Sequence, residues 1–356
     1  MSRHENGQTG PEINLNFQPT RADDNFGEES APCDYSHRAM HLSRVIRLLW
    51  CFGALAVTAS ASTPIASLPG LSSNVLRIVE LQTALVRDGI SPGPIDGLTG
   101  GQTESALRAF QQKRLLKTTG ALDENTRTNL PVVSPLLVAC FLTSNDLARI
   151  APVPITWLGK SLAPSLDYET LLELVAERSQ SHHKLLQALN PSINWTNVAT
   201  NTPILVPNAQ FPATSNKAAF VQIRLSERVL QAYDGETNLI AHFPCSIAQR
   251  VDKRPIGELR VSVLAPNPNY TFDPAVFPES PEAQEIGRKL ILQPGPNNPV
   301  GTVWIGLDKP GYGIHGTPLP EKVGRTESHG CFRLANWNVE YLLKLVSVGT
   351  PVIIQP

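Results

Sequence analysis

The sequence lacks an excess of charge of either sign: its formal net charge is −1 and its pI is about 6.7. A basic domain is the usual footprint of a nucleic-acid-binding protein, so no nucleic-acid partner is expected. The sequence also has no C-x-x-C pair, which argues against a structural zinc site with its usual four ligands. The 31 prolines argue against long helices and predict many turns and linkers. A length of 356 residues predicts two or three domains.

The N-terminal region is too polar to fold until it reaches one short apolar run. Residues 1–39 are polar and are expected to be a disordered leader, which is not translated if Met40 is the true start. Residues 40–61 resemble a signal peptide, with basic residues, about ten apolar residues and an A-x-A cleavage site. The protein is therefore expected to be exported to the periplasm or cell envelope. An uncleaved anchor over residues 44–60 and a buried core helix are the alternatives.

The cysteines carry information through their number. There are five: Cys33, Cys51, Cys140, Cys245 and Cys331. Cleavage would leave three, so at least one thiol stays unpaired unless two chains are cross-linked. In an oxidising compartment a free thiol is a liability unless chemistry requires it. A disulfide between Cys140 and Cys245, or between Cys331 and either of them, remains open; otherwise Cys245 is expected to be a small buried hydrophobe.

Residues 75–131 have the apolar spacing of a small helical unit. The i, i+3, i+7 spacing from Ile78 predicts one helix, and a second follows a turn rich in glycine and proline. Thr103 is predicted to be the N-cap of that second helix, and Asp123 the N-cap of a third. Read alone, this is a three-helix scaffold without a ligand.

The same residues resemble the peptidoglycan-binding domain type 1. The matching positions include Leu81, Gln82, Leu85, Gly89, Gly93, Asp96, Gly97, Gly100, Thr103, Ala106, Phe110, Gln111, Leu115, Thr119, Gly120, Asp123 and Thr126. The resemblance implies that residues 75–131 bind the glycan strands or peptides of the bacterial cell wall, unless the module serves only as a spacer.

Residues 132–166 form a proline-rich connector, and residues 167–208 form a second unit. The second unit reads as two helices, an Asn-Pro stop and a strand ending in Val-Pro, which resembles a LysM module. The Gly-Asp that usually opens such a module is absent, so a plain helical linker is the alternative. His182 and His183 are adjacent and point apart on a helix, so a metal pair is not expected.

Residues 217–356 change to a period of two. Segments such as 220–225 and 238–247 alternate apolar and polar residues between turn signals, and only one short helical pattern appears, near 336–346. This pattern predicts a mostly β catalytic domain built as a curved sheet or a sandwich. The fold class is therefore a multidomain α+β chain, with a sandwich-like β domain following small helical units.

One segment of this β domain carries two histidines and a thiol. A glycine- and proline-rich loop separates His315 from Cys331, and His329 lies two residues before Cys331. The thiolate is the nucleophilic form of cysteine, and a nearby imidazole can take the thiol proton. The amides of Gly330 and Cys331 are placed to form an oxyanion hole.

The segment S-H-G-C-F-R resembles the signature of YkuD-type L,D-transpeptidase catalytic domains. The upstream I-H-G-T, a Pro-Ile-Gly turn at 255–257, the Gly-Pro-x-Asn-Pro stretch before Trp304 and the final G-T-P-V-I-I also match. Two departures are Arg254, where threonine is usual, and Phe332, where isoleucine is usual. The resemblance covers roughly residues 218–356.

The resemblance implies a set of roles. Cys331 would attack the carbonyl between the diamino acid and the terminal D-Ala of a tetrapeptide stem, with His315 as general base and His329 shaping the site. D-Ala would leave, and an amine of an acceptor stem would resolve the thioester. Further residues expected to bind substrate or shape the site are Ser328, Arg333, Trp304, Tyr270 and Gly316. No metal or other cofactor is implied.

The same resemblance leaves the acceptor open. Carbapenems are expected as covalent inhibitors, because they would acylate the same thiol. An L,D-carboxypeptidase that trims stems with water, a non-catalytic wall-binding protein and a sortase remain the alternatives; a sortase would lack the His-Gly-Cys packing. Attachment of a protein to peptidoglycan is a further outcome of the same thioester chemistry.

Overall fold

A computed structural model of the protein describes residues 71–214, 216–277, 280–325 and 330–356. The predicted leader and signal peptide, Cys33, Cys51, Ser328 and His329 therefore lie outside the described residues. Within the described ranges, no helix combines the length and apolar character needed to cross a membrane.

The first unit consists of three helices. They are α1 (Ser73–Arg87), α2 (Gly101–Lys113) and α3 (Glu124–Asn129). The predicted cap of α3 is present, since the Asp123 side chain accepts a hydrogen bond from the Thr126 amide. The predicted cap of α2 is wrong: α2 begins earlier, Gly100 occupies the N-cap without a side-chain bond, and Thr103 is buried within the first turn.

The second unit takes its first strand from the proline-rich connector. Its elements are β1 (Leu137–Phe141), α4 (Ser144–Ala148), α5 (Trp157–Leu162), α6 (Leu171–Arg178), α7 (His183–Leu189) and β2 (Pro203–Pro207). β1 pairs antiparallel with β2, and Cys140 on β1 packs in one core with Leu174 on α6. The unit predicted over 167–208 thus begins inside the connector. A capping box between Thr170 and Glu173 opens α6.

The third unit is mostly β, as predicted. Its first elements are β3 (Phe220–Arg224), β4 (Val229–Tyr233), β5 (Leu239–Pro244), β6 (Gly257–Pro266), β7 (Tyr270–Phe272) and α8 (Pro281–Ile286). The remaining elements are β8 (Leu290–Leu292), β9 (Val303–Leu307), β10 (Gly313–His315), β11 (Phe332–Arg333), α9 (Asn336–Leu345) and β12 (Pro351–Gln355).

These strands form one eight-stranded mixed sheet and a separate hairpin. The order in the sheet is β11-β10-β9-β6-β12-β3-β4-β5, with parallel pairs at β10–β11 and β12–β3. β7 and β8 pair only with each other. The main core lies between this sheet and α9, where Val339 and Leu342 meet Ile314 and Phe332.

Both helical units pack against the β domain. Tyr233 and Leu239 of the sheet share a core with Leu81 and Phe110 of the first unit. The chain at Ile90 forms a bridge with His242 on the edge strand β5. The second unit contacts the β domain where α5 packs against β8 and where α6 packs against α9.

The structure contains none of the disulfides that the sequence left open between Cys140, Cys245 and Cys331. Cys140 is disulfide-bonded, whereas Cys245 and Cys331 carry thiols. A Cys140–Cys245 bridge is therefore absent, and so is any bridge to Cys331. Cys245 is fully buried in the main core and behaves as the small hydrophobe that the alternating strand predicted.

Candidate active site

Strand register places the thiol, the imidazole and a guanidinium on one face of the sheet. In the parallel β10–β11 pair, His315 lies opposite Arg333, and Ile314 lies opposite Phe332. Ile314 and Phe332 point into the core. Because side chains alternate along a strand, Cys331, Arg333 and His315 project from the opposite face. Cys331 is partly exposed, whereas His315 is only 5% exposed.

The thiol is bonded to the backbone at the start of β10 and in the turn just before it. Cys331 Sγ lies 3.5 Å from the Gly311 carbonyl oxygen, to which it donates. The Gly313 amide also donates to Sγ, which favours the thiolate, as does the charge of Arg333. Burial is the larger effect, however, and it raises the pKa of Cys331 to about 11. The resting group is therefore a protonated thiol at neutral pH.

The imidazole has one nitrogen committed to the backbone. His315 Nδ1 lies 2.6 Å from the Gly316 carbonyl oxygen, so Nδ1 carries the proton and Nε2 is left as the acceptor. Burial lowers the pKa of His315 to about 3, and Arg333 lowers it further, against the opposing Gly316 carbonyl. The site thus contains a neutral imidazole and a neutral thiol.

Two glycines make room for the indole of Trp304. Trp304 lies opposite His315 on β9, and their rings stack at a centroid distance of 5.7 Å. A Cβ added at Gly313 would lie 2.5 Å from Trp304 Cζ2, which is too close. A Cβ added at Gly306 would lie 3.0 Å from Trp304 Nε1. The indole therefore lies flat across these strands and fixes the plane of the imidazole.

Tyr270 reaches the site from the β7–β8 hairpin. Burial raises the pKa of Tyr270 to about 12, and the Cys331 and Arg333 side chains are among its electrostatic neighbours. Trp157 of α5 stacks on Phe272 of the same hairpin at a centroid distance of 4.3 Å. The connector that the sequence left unassigned thus supports the hairpin that carries Tyr270.

A buried amide fixes the turn after His315. Asn336 Oδ1 accepts from the Thr317 amide at 3.0 Å and from the Thr302 amide at 3.3 Å. A Cβ at Gly316 would meet Asn336 Oδ1 at 2.2 Å, so glycine is required there. The predicted role of Gly316 in shaping the site has a steric basis. Asn336 itself was not among the predicted site residues, although it stands only five positions after Cys331.

The second unit contributes a carboxyl group to the same network. Asn336 Nδ2 donates to Glu177 Oε1 and Oε2 at 2.8 and 3.1 Å. Burial and the nearby Glu340 raise the pKa of Glu177 well above its ordinary value. Glu173, one turn earlier on α6, accepts from Asn297 Nδ2 at 2.6 Å. No signal in the sequence linked α6 to the active site.

The remaining predicted residues divide into two groups. Gly330 is described and has open space where a side chain would be. Ser328 and His329 lie outside the described residues, so their predicted roles stay predictions. Tyr312, which the sequence did not single out, has Cys331 among its electrostatic neighbours.

Comparison with known proteins assigns two of the units. Residues 218–354 match the model of the L,D-transpeptidase catalytic domain, YkuD, and residues 76–130 match the "Putative peptidoglycan binding domain". The chain thus carries a YkuD L,D-transpeptidase catalytic domain behind a peptidoglycan-binding domain, and it is an enzyme of the L,D-transpeptidase class. The LysM-like character of the middle unit remains a prediction.

The chain is similar to several proteins that are named L,D-transpeptidases. The chain is 29% identical over 188 residues to "Putative L,D-transpeptidase YkuD" of Bacillus licheniformis, covering 53% of this chain and 94% of that protein. It is 39% identical over 109 residues to "Putative L,D-transpeptidase YqjB" of Bacillus subtilis, covering 29% of this chain and 52% of that protein. Among solved structures, an L,D-transpeptidase from Mycobacterium smegmatis is 20% identical with a TM-score of 0.31, covering 43% of this chain and 73% of that chain.

Proposed function

We propose that the enzyme cross-links the peptide stems of bacterial peptidoglycan through a thioester on Cys331, with release of D-Ala. The observation that carries this proposal is the placement of a partly exposed thiol, a neutral imidazole and a guanidinium on one sheet face beside the Tyr270 hairpin. A nucleophile with a base in reach is the minimum for acyl transfer through a covalent intermediate.

The acylation step begins from the neutral pair. His315 Nε2 takes the Sγ proton as Sγ attacks the carbonyl between the diamino acid and the terminal D-Ala. The tetrahedral oxyanion is stabilised by the positive charge of Arg333 and by the proposed donors, the amides of Gly330 and Cys331. The imidazolium then gives its proton to the D-Ala nitrogen, the C–N bond breaks, and a thioester remains on Cys331.

The second step, transfer of the acyl group to the acceptor, uses the same imidazole to move the protons. The side-chain amine of an acceptor stem attacks the thioester while His315 takes one of its protons. The C–S bond breaks, a new peptide bond forms, and the proton returns to sulfur. Gly316 keeps the same imidazole nitrogen available in both steps, because its carbonyl holds the Nδ1 proton throughout.

The test is incubation of the full-length protein with purified tetrapeptide stems, followed by mass spectrometry of the products. We expect cross-linked dimers, free D-Ala and an acyl-enzyme on Cys331. Tripeptide without dimer would instead identify an L,D-carboxypeptidase. Cys331→Ala is expected to fold normally and to form neither product nor a carbapenem adduct. If the unmodified enzyme forms no covalent adduct with stems or carbapenems, it is a non-catalytic wall-binding protein.

The setting of this chemistry is proposed from the rest of the chain. Residues 75–131 would hold glycan strands near the catalytic domain, and the N-terminal segment would direct export to the periplasm or cell envelope. Sedimentation of the protein with purified cell-wall sacculi tests the first point. Mass spectrometry of the native N-terminus tests the second, since retention of residues 40–61 would contradict cleavage.

A further inference from the structure

The first unit bonds directly to the loop that connects His315 to Cys331. Gln102, in the first turn of α2, donates from Nε2 to the Val323 carbonyl at 2.6 Å. Val323 is buried and Gln102 is half-buried, so water competes poorly for this bond. Gln102 is not one of the residues that carry the resemblance to the peptidoglycan-binding domain. Wall binding therefore does not account for this contact.

Two glycines leave room for the Gln102 amide, one in each unit. A Cβ added at Gly93 would lie 2.3 Å from Gln102 Oε1, and one added at Gly324 would lie 3.0 Å from Gln102 Nε2. Both glycines have a left-handed φ angle, which other residues rarely adopt. The backbone of the first unit and the backbone of the loop are thus both shaped around this amide.

The residue after Val323 is held from the other side by the β domain. The Gly324 amide donates to Ser246 Oγ at 2.9 Å, and Arg228 Nη1 donates to the Gly324 carbonyl at 3.4 Å. Ser246 is fully buried. Two adjacent loop residues are therefore fixed together, Val323 by the first unit and Gly324 by the sheet.

Ser246 also pairs with the strand that follows the thiol. Its amide donates to the Arg333 carbonyl at 2.9 Å, and the Arg333 amide donates to the Ser246 carbonyl at 3.0 Å. Ser246 follows β5, so this bridge joins β5 and β11, the two edges of the eight-stranded sheet. In the chain, Cys331 comes after one residue bonded to Ser246 and before another. The backbone on both sides of the thiol is thus tied to one buried serine.

We propose that Gln102 is a positioning residue for acyl transfer at Cys331. It fixes Val323 and Gly324, and through Ser246 it steadies the backbone on both sides of the thiol. The reaction that it affects rests on the proposed function. The first unit would then support the chemistry itself, in addition to any binding of the cell wall. Because Gln102 acts on the loop backbone and not on the stem, its loss should lower kcat and leave KM unchanged.

The first test compares two identical substitutions on α2 in the full-length protein. Release of D-Ala from a soluble tetrapeptide stem gives kcat and KM whichever acceptor resolves the thioester. Gln102→Ala should lower kcat about 10-fold, since small misplacements of a nucleophile have large effects on rate. Gln112→Ala, at an exposed position of the same helix, should leave both constants within about twofold of the parent. Equal effects of the two substitutions would overturn the proposal.

A second variant separates positioning from stability. Gln102→Glu keeps the size of the side chain, but its carboxylate cannot donate to the Val323 carbonyl. A negative charge in the first turn of a helix is favourable, so the urea midpoint should not fall below that of the parent. Its kcat should still fall by about 10-fold or more. Parent-like turnover by Gln102→Glu would show that the amide donor has no part in positioning the loop.

The loop can also be observed without any activity. In ¹⁵N-glycine-labelled full-length protein, the Gly324 amide reports on its bond to Ser246 Oγ. Gln102→Ala should speed hydrogen exchange at Gly324 by about 10-fold, because the neighbouring anchor at Val323 is lost. Exchange at the parent rate would show that Gln102 does not hold the loop, and it would overturn the proposal.

The outcomes separate this proposal from the proposed function. Faster exchange at Gly324 with an unchanged kcat would overturn the positioning role and leave the enzymatic assignment intact. A parent protein that releases no D-Ala and forms no covalent adduct would refute the proposed function, and the positioning role would fall with it. A lower kcat, an unchanged KM and faster exchange in Gln102→Ala together would establish the role.

Discussion

Replacement of Asn336 by alanine should damage both the stability of the protein and its catalytic site. The side chain is fully buried and makes hydrogen bonds to Thr302, Thr317, Pro296 and Glu177. Its removal leaves two backbone amides and a carboxyl group without this partner in a site that water does not reach. Each unsatisfied buried group costs about 1–3 kcal/mol, so the three groups together should lower the free energy of unfolding by about 3–9 kcal/mol.

The same helix offers a matched control. Asn338 is also buried, at 1% exposure, but its Oδ1 has no hydrogen-bond partner among the described residues. Asn338→Ala removes a side chain of the same size and should cost only about 1 kcal/mol, from lost packing. Urea unfolding of both variants gives the two values. A cost for Asn336→Ala no larger than that for Asn338→Ala would refute the role of the network.

The activity of the folded fraction provides the second measurement. The Thr317 amide bonded to Asn336 follows the Gly316 carbonyl that orients His315. Loss of that bond should misplace the imidazole and slow acylation by a carbapenem about 10–100-fold, since small misplacements of a base have large effects on rate. An unchanged acylation rate in the folded Asn336→Ala variant would mean that His315 is oriented without this contact.

The geometry of the site leads to three more expected outcomes. Gly313→Ala would place a Cβ 2.5 Å from Trp304 Cζ2. The substitution should lower the free energy of unfolding by about 1–3 kcal/mol, measured by thermal unfolding, and should slow acylation. A fully active, equally stable variant would contradict the packing of the indole. The pKa of His315 is about 3 and that of Cys331 is about 11. The acylation rate should therefore not fall as the pH is lowered through about 6.5. A fall there would show that an ionised pair reacts. The pKa of Glu177 is raised in the folded state, so its contribution to stability is complete below the unfolded value of about 4.3 and is lost as pH rises through the folded value; Glu177→Gln should flatten this fall in urea unfolding, and an unchanged slope would contradict the shift.

The local features of the sequence predicted the local structure well. The alternating pattern from Phe220 onwards indicated the strands of the sheet, and Asp123 marked the start of α3. The glycine- and proline-rich loop after His315 lets β11 pair with β10, and this pairing places Cys331, the residue before β11, next to β10. The start of α2 was misplaced, since a cap without a side chain leaves no sequence signal.

Long-range contacts account for what the sequence could not reveal. Glu177 and Asn336 are 159 positions apart, and neither carries a pattern that points to the other. β1 could not be predicted because its five residues are stabilised by pairing with β2, far along the chain. The ionisation of the site likewise depends on burial, which the spacing of His315 and Cys331 does not specify. Only the packed units reveal these three features.

The bridge between the first unit and strand β5 has a consequence for how the enzyme can be divided. The Ser91 amide donates to the His242 carbonyl, and the His242 amide donates to the Gly89 carbonyl, at 2.8 and 3.1 Å. A fragment that starts at residue 217 would leave this border of the sheet uncovered, together with the apolar surfaces of Tyr233 and Leu239. Exposed sheet edges pair with other chains, so such a fragment should self-associate more strongly than the full-length protein. The module that would hold the cell wall is thus also a guard against aggregation.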